Sequence, residues 1–461
     1  MTDVTRGTAN GADGTWMFKD GVDGEKKLAF LRDTAGEPVL GFELDSKEVV
    51  GVIGEEQNHQ IIYTSFREND EVTKTDVPVV HTVKANNPPP SFLQKFAVIR
   101  SKSILYAPGS TISVIRSTES GAKQAVEFCE KAVRPTLNHL GILDHAAFHT
   151  TQSTETITDL TKSQILQRAN EGVEQTIILL SGDGGTIDVV NTLCGGSRTS
   201  TYKRPTLITL PLGTGNALSN SYRYNADSTW GLATLARGER RPLPTFRVTF
   251  SSGARLVTNE GREERELSQH AGKPTIFGVV VCSWGLHASL VADSDTAHYR
   301  QFGAERFQMV AKELLSPADG SEHHAYKGKL QVKDPYTSQW EESGGSEHSY
   351  VLATMVSNLE KTFTISPDSK TLDGMMRLIK LPVMNGAQLM EVMTAAYHDG
   401  KHVTMDNVGY REIEGLRIDF EEDGGRWRRV CIDGKIVRVE NGGWMSVEKE
   451  PESLVDIACL Q

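Results

Sequence analysis

Ser181-Gly182-Asp183-Gly184-Gly185-Thr186 lies between an apolar run, Thr176-Ile177-Ile178-Leu179-Leu180, and a helix-patterned run, Ile187-Asp188-Val189-Val190-Asn191-Thr192-Leu193. The first run is apolar without alternation, which suits a strand buried on both faces. Glycine tolerates positive φ and carries no Cβ, so the backbone can turn sharply there and approach a ligand. A helix that starts just after the turn points free N–H groups at that ligand, a natural seat for phosphate. Asp183 is set inside this cradle. A bare carboxylate is a poor neighbour for phosphate, so its presence implies either a bound Mg²⁺ or a proton acceptor.

A second strand pattern, Thr206-Leu207-Ile208-Thr209-Leu210, runs into Pro211-Leu212-Gly213-Thr214-Gly215-Asn216-Ala217-Leu218-Ser219. Two glycine-rich strand-to-helix turns at the ends of successive strands describe a nucleotide crevice in an open α/β sheet. No Gly-Lys-Ser/Thr follows either turn, so neither is a Walker A loop, and neither spells the dinucleotide fingerprint Gly-x-Gly-x-x-Gly.

Composition bounds the remaining choices. The 461 residues suffice for two sizeable domains and an extension. With 49 Lys+Arg against 60 Asp+Glu the net charge is −11, which argues against a nucleic-acid partner and against bulk attraction to anionic membranes. No apolar stretch reaches the length of a membrane span, and the first residues lack a secretory core. Cys129, Cys194, Cys282, Cys431 and Cys459 are scattered without metal-ligand spacing, as expected of reduced thiols in a cytoplasmic protein.

Three regions follow along the chain. Residues 1–95 mix short strand patterns such as Val49–Ile53 and Gln60–Tyr63 with Asp/Gly turns and read as a β-rich extension, either lipid-sensing or structural. Its first residues, up to about Asp13, are expected to be disordered, and Asn86-Asn87-Pro88-Pro89-Pro90 to be a stiff linker or turn. Residues 96–245 read as the α/β domain: a strand at Thr111–Ile115, then a helix with Val126, Cys129, Val133 and Leu137 on one face, then a strand at Ala146–Phe148. Residues 246–461 read as strand after strand and predict a β-sandwich, with an exposed loop from Ser251 to Lys273 inside a hairpin.

The two glycine turns, in this order, resemble the catalytic domain of the diacylglycerol kinase and sphingosine kinase superfamily. Sphingosine kinases are resembled most: Ser283-Trp284-Gly285-Leu286 precedes an acidic run from Asp293, then Tyr299-Arg300, Gly303 and Arg306-Phe307. The resemblance covers roughly residues 105–440 and implies a Rossmann-like α/β domain followed by a β-sandwich. It further implies an ATP- and Mg²⁺-dependent kinase that phosphorylates the primary hydroxyl of a sphingoid base. Diacylglycerol or ceramide as substrate, and a weakly active lipid-binding protein, stand as alternatives.

By that resemblance Thr151, Ser181, Gly182, Gly184, Gly213 and Thr214 lie near the nucleotide, and Arg300 and Arg306 reach its phosphates. Asp433-Gly434 returns to the same site, with Asp433 on Mg²⁺ or phosphate, and Asp183 accepts the hydroxyl proton or helps hold the metal. Asp293 holds the polar head of the lipid and Phe307 lines its pocket. Access to such a substrate implies a peripheral visit to a membrane. The sequence sets no oligomeric state. Five features depart from the family pattern. Ser117-Thr118-Glu119-Ser120-Gly121 replaces an Asn-Pro-x-Gly-Gly loop, Asp188 and Lys435 each stand where Glu is usual, Ala311 stands for Thr, and the Trp-Gly segment is two residues longer.

Overall fold

The computed structural model describes residues 2–20, 26–68, 71–72, 77–222, 227–303 and 305–460. Four parallel strands form its centre: β1 (Thr111–Arg116), β2 (Ala146–Thr150), β3 (Gln175–Ser181) and β4 (Thr206–Pro211), in the spatial order β2-β1-β3-β4. Every residue of β3 is buried. Ile177 and Leu179 pack into one core, and Ile178 and Leu180 into another on the opposite face. Two-sided burial is why this strand does not alternate. From β1 the chain passes to β2 on one side and to β3 on the other, so the sheet has a switch point between β1 and β3. Ligands of such sheets bind beyond the carboxyl ends of the strands there.

Helix α1 (Asp183–Gly195) leaves β3, and the short helix α2 (Ala217–Ser221) leaves the loop after β4. The helix expected after β1 is present as Ala125–His139 with a π-turn over Cys129–Val133. Cys129, Val133 and Leu137 are buried, whereas Val126 faces solvent.

The third region is a single sheet of fifteen strands that curls on itself. Its inner face is packed with Phe246, Val248, Trp284, Tyr326, Ile418 and Met445 from both halves. Strand β5 (Lys273–Gly278) leads by way of Val279 and Val280 into β6 (Val281–Gly285), and β6, β7 (Arg429–Ile432) and β8 (Lys435–Arg438) carry residues to the cleft. So do helices α3 (Leu286–Ser294), α4 (Glu305–Leu315) and α5 (Gly386–Ala396). The segment expected to loop between Ser251 and Lys273 instead forms a hairpin, Arg255–Thr258 against Glu263–Glu266, that extends the sheet edge through β8. The chain's last strand, Asp456–Cys459, leaves this region and pairs in parallel with β4.

The N-terminal region is a seven-stranded antiparallel sheet closed by the helix Pro90–Phe96. Here the sequence reading is corrected twice. The residues expected to be disordered are its first strand, Thr2–Ala9, joined to Ala12–Asp20 by an Asn10-Gly11 turn with φ of 49° and 85°. Positive φ at both turn residues is the tight hairpin geometry that Asn-Gly favours. The proline run, expected as a linker, opens a helix, with Pro90 at a position where its missing N–H costs nothing. The module docks on the α/β domain: the half-buried Arg237 donates to the carbonyls of Val50 (2.9 Å) and Lys95 (3.1 Å).

Candidate functional site

Three loops meet at the carboxyl ends of β1, β3 and β4. Gly182 and Gly213 face each other backbone to backbone, and a Cβ on Gly182 would lie 2.8 Å from the Gly213 Cα. Only glycine fits this approach. Gly121, at φ 50°, would drive a Cβ into the Leu212 carbonyl, so the first loop rests directly on the second glycine turn. Ser120 Oγ and Ser181 Oγ are 3.0 Å apart, tying the first loop to β3. Thr151 is buried and its hydroxyl accepts the Thr118 N–H at 3.0 Å. The structure therefore gives Thr151 a part in holding the first loop. Asn216, in left-handed conformation, closes its own loop by accepting from the Gly213 N–H (2.8 Å) and donating to the Gly213 carbonyl (2.7 Å). Gly184 and Thr214 are exposed to the cleft that these loops open.

Asp183 begins α1 and lies on the floor of that cleft. Its Oδ2 accepts the Ala217 N–H at 2.7 Å and its Oδ1 the Leu218 N–H at 3.2 Å, so it caps α2. Burial raises its pKa above the usual carboxylate value, with the two amides pulling the other way. A carboxylate shifted upward is better matched to accepting a hydroxyl proton.

Asp433 stands at the tip of the β7–β8 turn, at φ 47°. Its carboxylate accepts three backbone N–H groups, from Val279 (2.7 Å), Val280 (3.1 Å) and Val281 (2.6 Å). Burial pushes its pKa up to about 7; the amides pull it down, and the charge of Asp183 adds to the rise. Gly434 follows as the exposed corner, at φ 90°.

Asp183 and Asp433 accept two and three amides respectively, so Asp183, with about four lone-pair sites on its carboxylate, keeps room in the cleft for a Mg²⁺ ion brought by phosphates, and Asp433 keeps less. A third acidic group, Asp188 on α1, accepts the Lys435 ammonium at 2.6 Å. Among the described residues no group of three or more His, Cys, Asp or Glu side chains could hold a metal ion. The two positions where this chain departs from the family's glutamates are thus one ion pair, joining the α/β domain to the β-domain. Asn191 makes the same junction, donating to the Phe277 carbonyl (2.8 Å) and accepting its N–H (2.9 Å).

The lipid-side reading is corrected by two residues. Asp293 does not line the cleft; it points the other way and binds Arg426 (2.7 Å) and Arg429 (2.8 Å). Asp295 lines the cleft instead and takes Arg300 through two bonds of 2.9 Å, with Arg306 at 3.9 Å. Successive helical residues are 100° apart, so side chains two positions apart face nearly opposite ways. The two extra residues after Trp284-Gly285 turn the expected carboxylate outward and bring another inward. Arg306 is largely buried, its Nε has no partner, and its guanidinium lies 4.8 Å over the Phe307 ring. Desolvation lowers its pKa, the state of a cation short of counter-charge.

The cleft runs from the glycine loops into an apolar chamber, ≈ 2040 Å³ in all, walled by Leu290, Val291, Phe307, Ala311, Phe363 and Met393. His287 lies in its wall with Nδ1 2.7 Å from Ser283 Oγ, and burial lowers its pKa to about 4, so the ring is neutral. Asp295, His287 and the Lys435–Asp188 pair escaped the sequence reading. Only the longer Trp-Gly segment and the two departures from glutamate hinted at them.

Residues 111–248 match the family described as the diacylglycerol kinase catalytic domain. Sphingosine kinase 1 of Arabidopsis thaliana is 23% identical over 61% of this chain and 61% of its own length, so the chain spans about three fifths of that relative. Sphingosine kinase 1 of Homo sapiens is 20% identical over 71% of this chain and 86% of its own length. Two solved structures from Bacillus anthracis str. Sterne, each named as a diacylglycerol kinase, share the fold. Both have a TM-score of 0.51 and cover 76% of this chain and 97% of their own, at 13% and 12% identity.

Proposed function

We propose that this chain, which belongs to the diacylglycerol kinase and sphingosine kinase superfamily, is a lipid kinase that transfers the γ-phosphate of ATP to a lipid hydroxyl, with a sphingoid base as its substrate. One observation carries the reading: Asp183, with its raised pKa, sits where the glycine loops open into the apolar chamber. ATP fits the loops. Gly182, Gly184, Gly213 and Thr214 offer close backbone approach, Ser181 and the N-terminus of α1 lie alongside, and Arg300 and Arg306 supply positive charge.

The lipid hydroxyl would attack the γ-phosphorus as its proton passes to Asp183, and the bond to the β-phosphate oxygen would break to release ADP. Such transfers depend on alignment and on neutralising charge, which the arginines provide. Asp295, paired with Arg300 at the cleft, would receive an ammonium-bearing head as Arg300 turns to the phosphates. No helix among the described residues is long and apolar enough to cross a membrane. Met390 and Tyr397 on and beside α5 are exposed, large and apolar, and line the cleft mouth, which supports a transient visit to a bilayer from the cytoplasm.

The test is transfer of labelled phosphate from ATP by the purified protein to a panel of sphingosine, ceramide and diacylglycerol in mixed micelles. Labelled sphingoid base is the expected product. Labelling of diacylglycerol or ceramide in preference moves the substrate but keeps the lipid kinase. Labelling of no lipid, with folded protein, overturns the reading.

A further inference from the structure

We infer that Asp295 and Arg300 hold each other in a plug that nucleotide opens, so that nucleotide and an ammonium-bearing lipid bind this chain cooperatively, each favouring the other. The inference rests on the lipid kinase reading and concerns how its two substrates are admitted to one cleft. Asp295 follows the last residue of α3, Arg300 ends the single helical turn Ala297–Arg300, and Arg306 is the second residue of α4. One reversal of the chain thus brings all three to the wall of the cleft. Arg300 Nε donates to Asp295 Oδ1 and its terminal nitrogen to Oδ2, each at 2.9 Å. This is a guanidinium fork on a carboxylate, and it occupies both oxygens. Arg306 stands 3.9 Å from the same Oδ1, and no other hydrogen-bond or ion-pair partner of Asp295 is found among the described residues.

Two guanidiniums therefore share one carboxylate, and an incoming ammonium meets a site already filled by a cation. A phosphate offers Arg300 the same bidentate match as the carboxylate does. Arg300 can pass to it without losing hydrogen bonds. Asp295 is then left with Arg306 alone, beyond hydrogen-bond reach, and its freed oxygens can accept an ammonium. Charge is matched on both sides only when both substrates are present. The side chains of Arg300 and Asp295 are 56% and 46% exposed, so the pair exchanges partners without the desolvation penalty that locks a buried ion pair. Asp183 differs, because main-chain amides hold it and no ligand competes for them. By linkage the effect is reciprocal: whatever factor nucleotide adds to the affinity for the base, the base adds to the affinity for nucleotide. A neutral lipid has no use for the freed carboxylate and should show no such coupling.

The experiment is calorimetric titration of the Mg²⁺ complex of a non-hydrolysable ATP analogue into the full chain, alone and with a saturating short-chain sphingoid base kept below its micellar concentration. The N-acetyl derivative of the same base, which lacks the ammonium, is the control. The base should tighten nucleotide binding about three- to fivefold, the upper range for an exposed ion pair, and the N-acetyl derivative by less than about 1.5-fold. Removing either partner should release the other. Asp295→Asn should bind nucleotide alone about twofold or more tighter than wild type does, Arg300→Gln should bind the base alone tighter by a similar factor, and the coupling should vanish in both. Wild-type nucleotide affinity that is the same with and without the base overturns the inference and leaves the lipid kinase standing. Coupling that survives in Arg300→Gln, or that the N-acetyl derivative matches, does not pass through this pair and also overturns it. Failure to bind nucleotide in every titration removes the kinase reading, and the inference with it. The wild-type titrations decide the question even where a variant does not fold.

Discussion

The glycine loops and the segment from Asp293 to Phe307 face one cleft but are specified in different ways. The loops are positioned by backbone: Gly182 lies against Gly213, Gly121 lies on Leu212, and Asp183 accepts two main-chain N–H groups. Residue type and local order dictate this geometry, so the sequence can be read almost directly. The acidic segment is positioned by side-chain pairs, several of them distant in the chain. Asp293 meets Arg426, 133 residues away, and a helix rotation of two residues decides which carboxylate faces the lipid. Backbone constraints leave a local signature, whereas long-range pairing does not.

The largest expected effect tests the backbone side. Asp183→Asn keeps size but offers one acceptor oxygen and an NH₂ group to two N–H donors, so one of the α2 amides loses its partner. Removal of the proton acceptor alone should lower turnover about 100-fold or more. Steady-state phosphate transfer by the purified variant, with circular dichroism to confirm folding, measures it. Turnover within threefold of wild type would take Asp183 out of the chemistry.

The second test breaks the comparison at its weaker end. Asp295→Asn should cut kcat/KM for a sphingoid base about ten- to a hundredfold, the scale of a charge-assisted hydrogen bond. Asp293→Asn, paired away from the cleft with Arg426 and Arg429, should change it by less than about threefold, because sites that share no partner act nearly independently. The reverse order of effects would return the lipid head to Asp293.

What could be read from the sequence follows the same division. The α/β sheet, its two turns and the strand-rich region were legible because glycine, β-branched runs and burial periodicity are local. The N-terminal strand was missed although Asn10-Gly11 is a hairpin signal, because the polar residues around it outweighed it. The hairpin between Ser251 and Lys273 was missed because all four residues of Glu263–Glu266 are charged and exposed, with no apolar face to register. The anchoring of Asp433 was not legible because an Asp-Gly turn does not reveal the three amides of Val279, Val280 and Val281, more than 150 residues away in the chain. Lys435 and Asp188 read as separate departures because nothing local links residues 247 positions apart.

A third prediction concerns pH. His287 has its folded pKa lowered to about 4 by burial, against 6.5 for the free side chain. Between those values the unfolded chain takes up a proton that the folded chain refuses. Its contribution to stability is therefore complete above pH 6.5 and is lost as pH falls toward 4. Asp433, raised to about 7, runs the opposite way: the fold binds its proton first, so that contribution grows as pH falls through 7 toward the ordinary carboxylate range. The two partly cancel in the wild type, so the informative measurement is the difference in urea midpoint between wild type and His287→Gln across pH 4–7. Relative to wild type, the variant should gain stability as pH falls. A constant difference would mean that His287 is protonated in the fold.

The smallest expected effect lies in the first loop, which departs from its family's pattern. Glu119 introduces a negative charge into the loop that lines the cleft, which by itself should weaken ATP binding. The structure supplies a local answer, since Lys123 Nζ sits 2.6 Å from Glu119 Oε2, four residues further along the loop. Both side chains are mostly exposed, and exposed pairs contribute little and are screened by salt. Glu119→Gly should therefore tighten ATP binding by only about two- to fivefold, the scale of one surface charge pair, with the gain shrinking as salt is raised from low to physiological strength. Lys123→Ala should weaken binding by a similar factor, because it leaves Glu119 uncompensated. Titrating ATP into both variants at two ionic strengths separates the cases. Opposite shifts that fade with salt place the loop beside the triphosphate. Two variants indistinguishable from wild type would confine nucleotide binding to the glycine turns, and the first loop would then serve only to rest on Leu212.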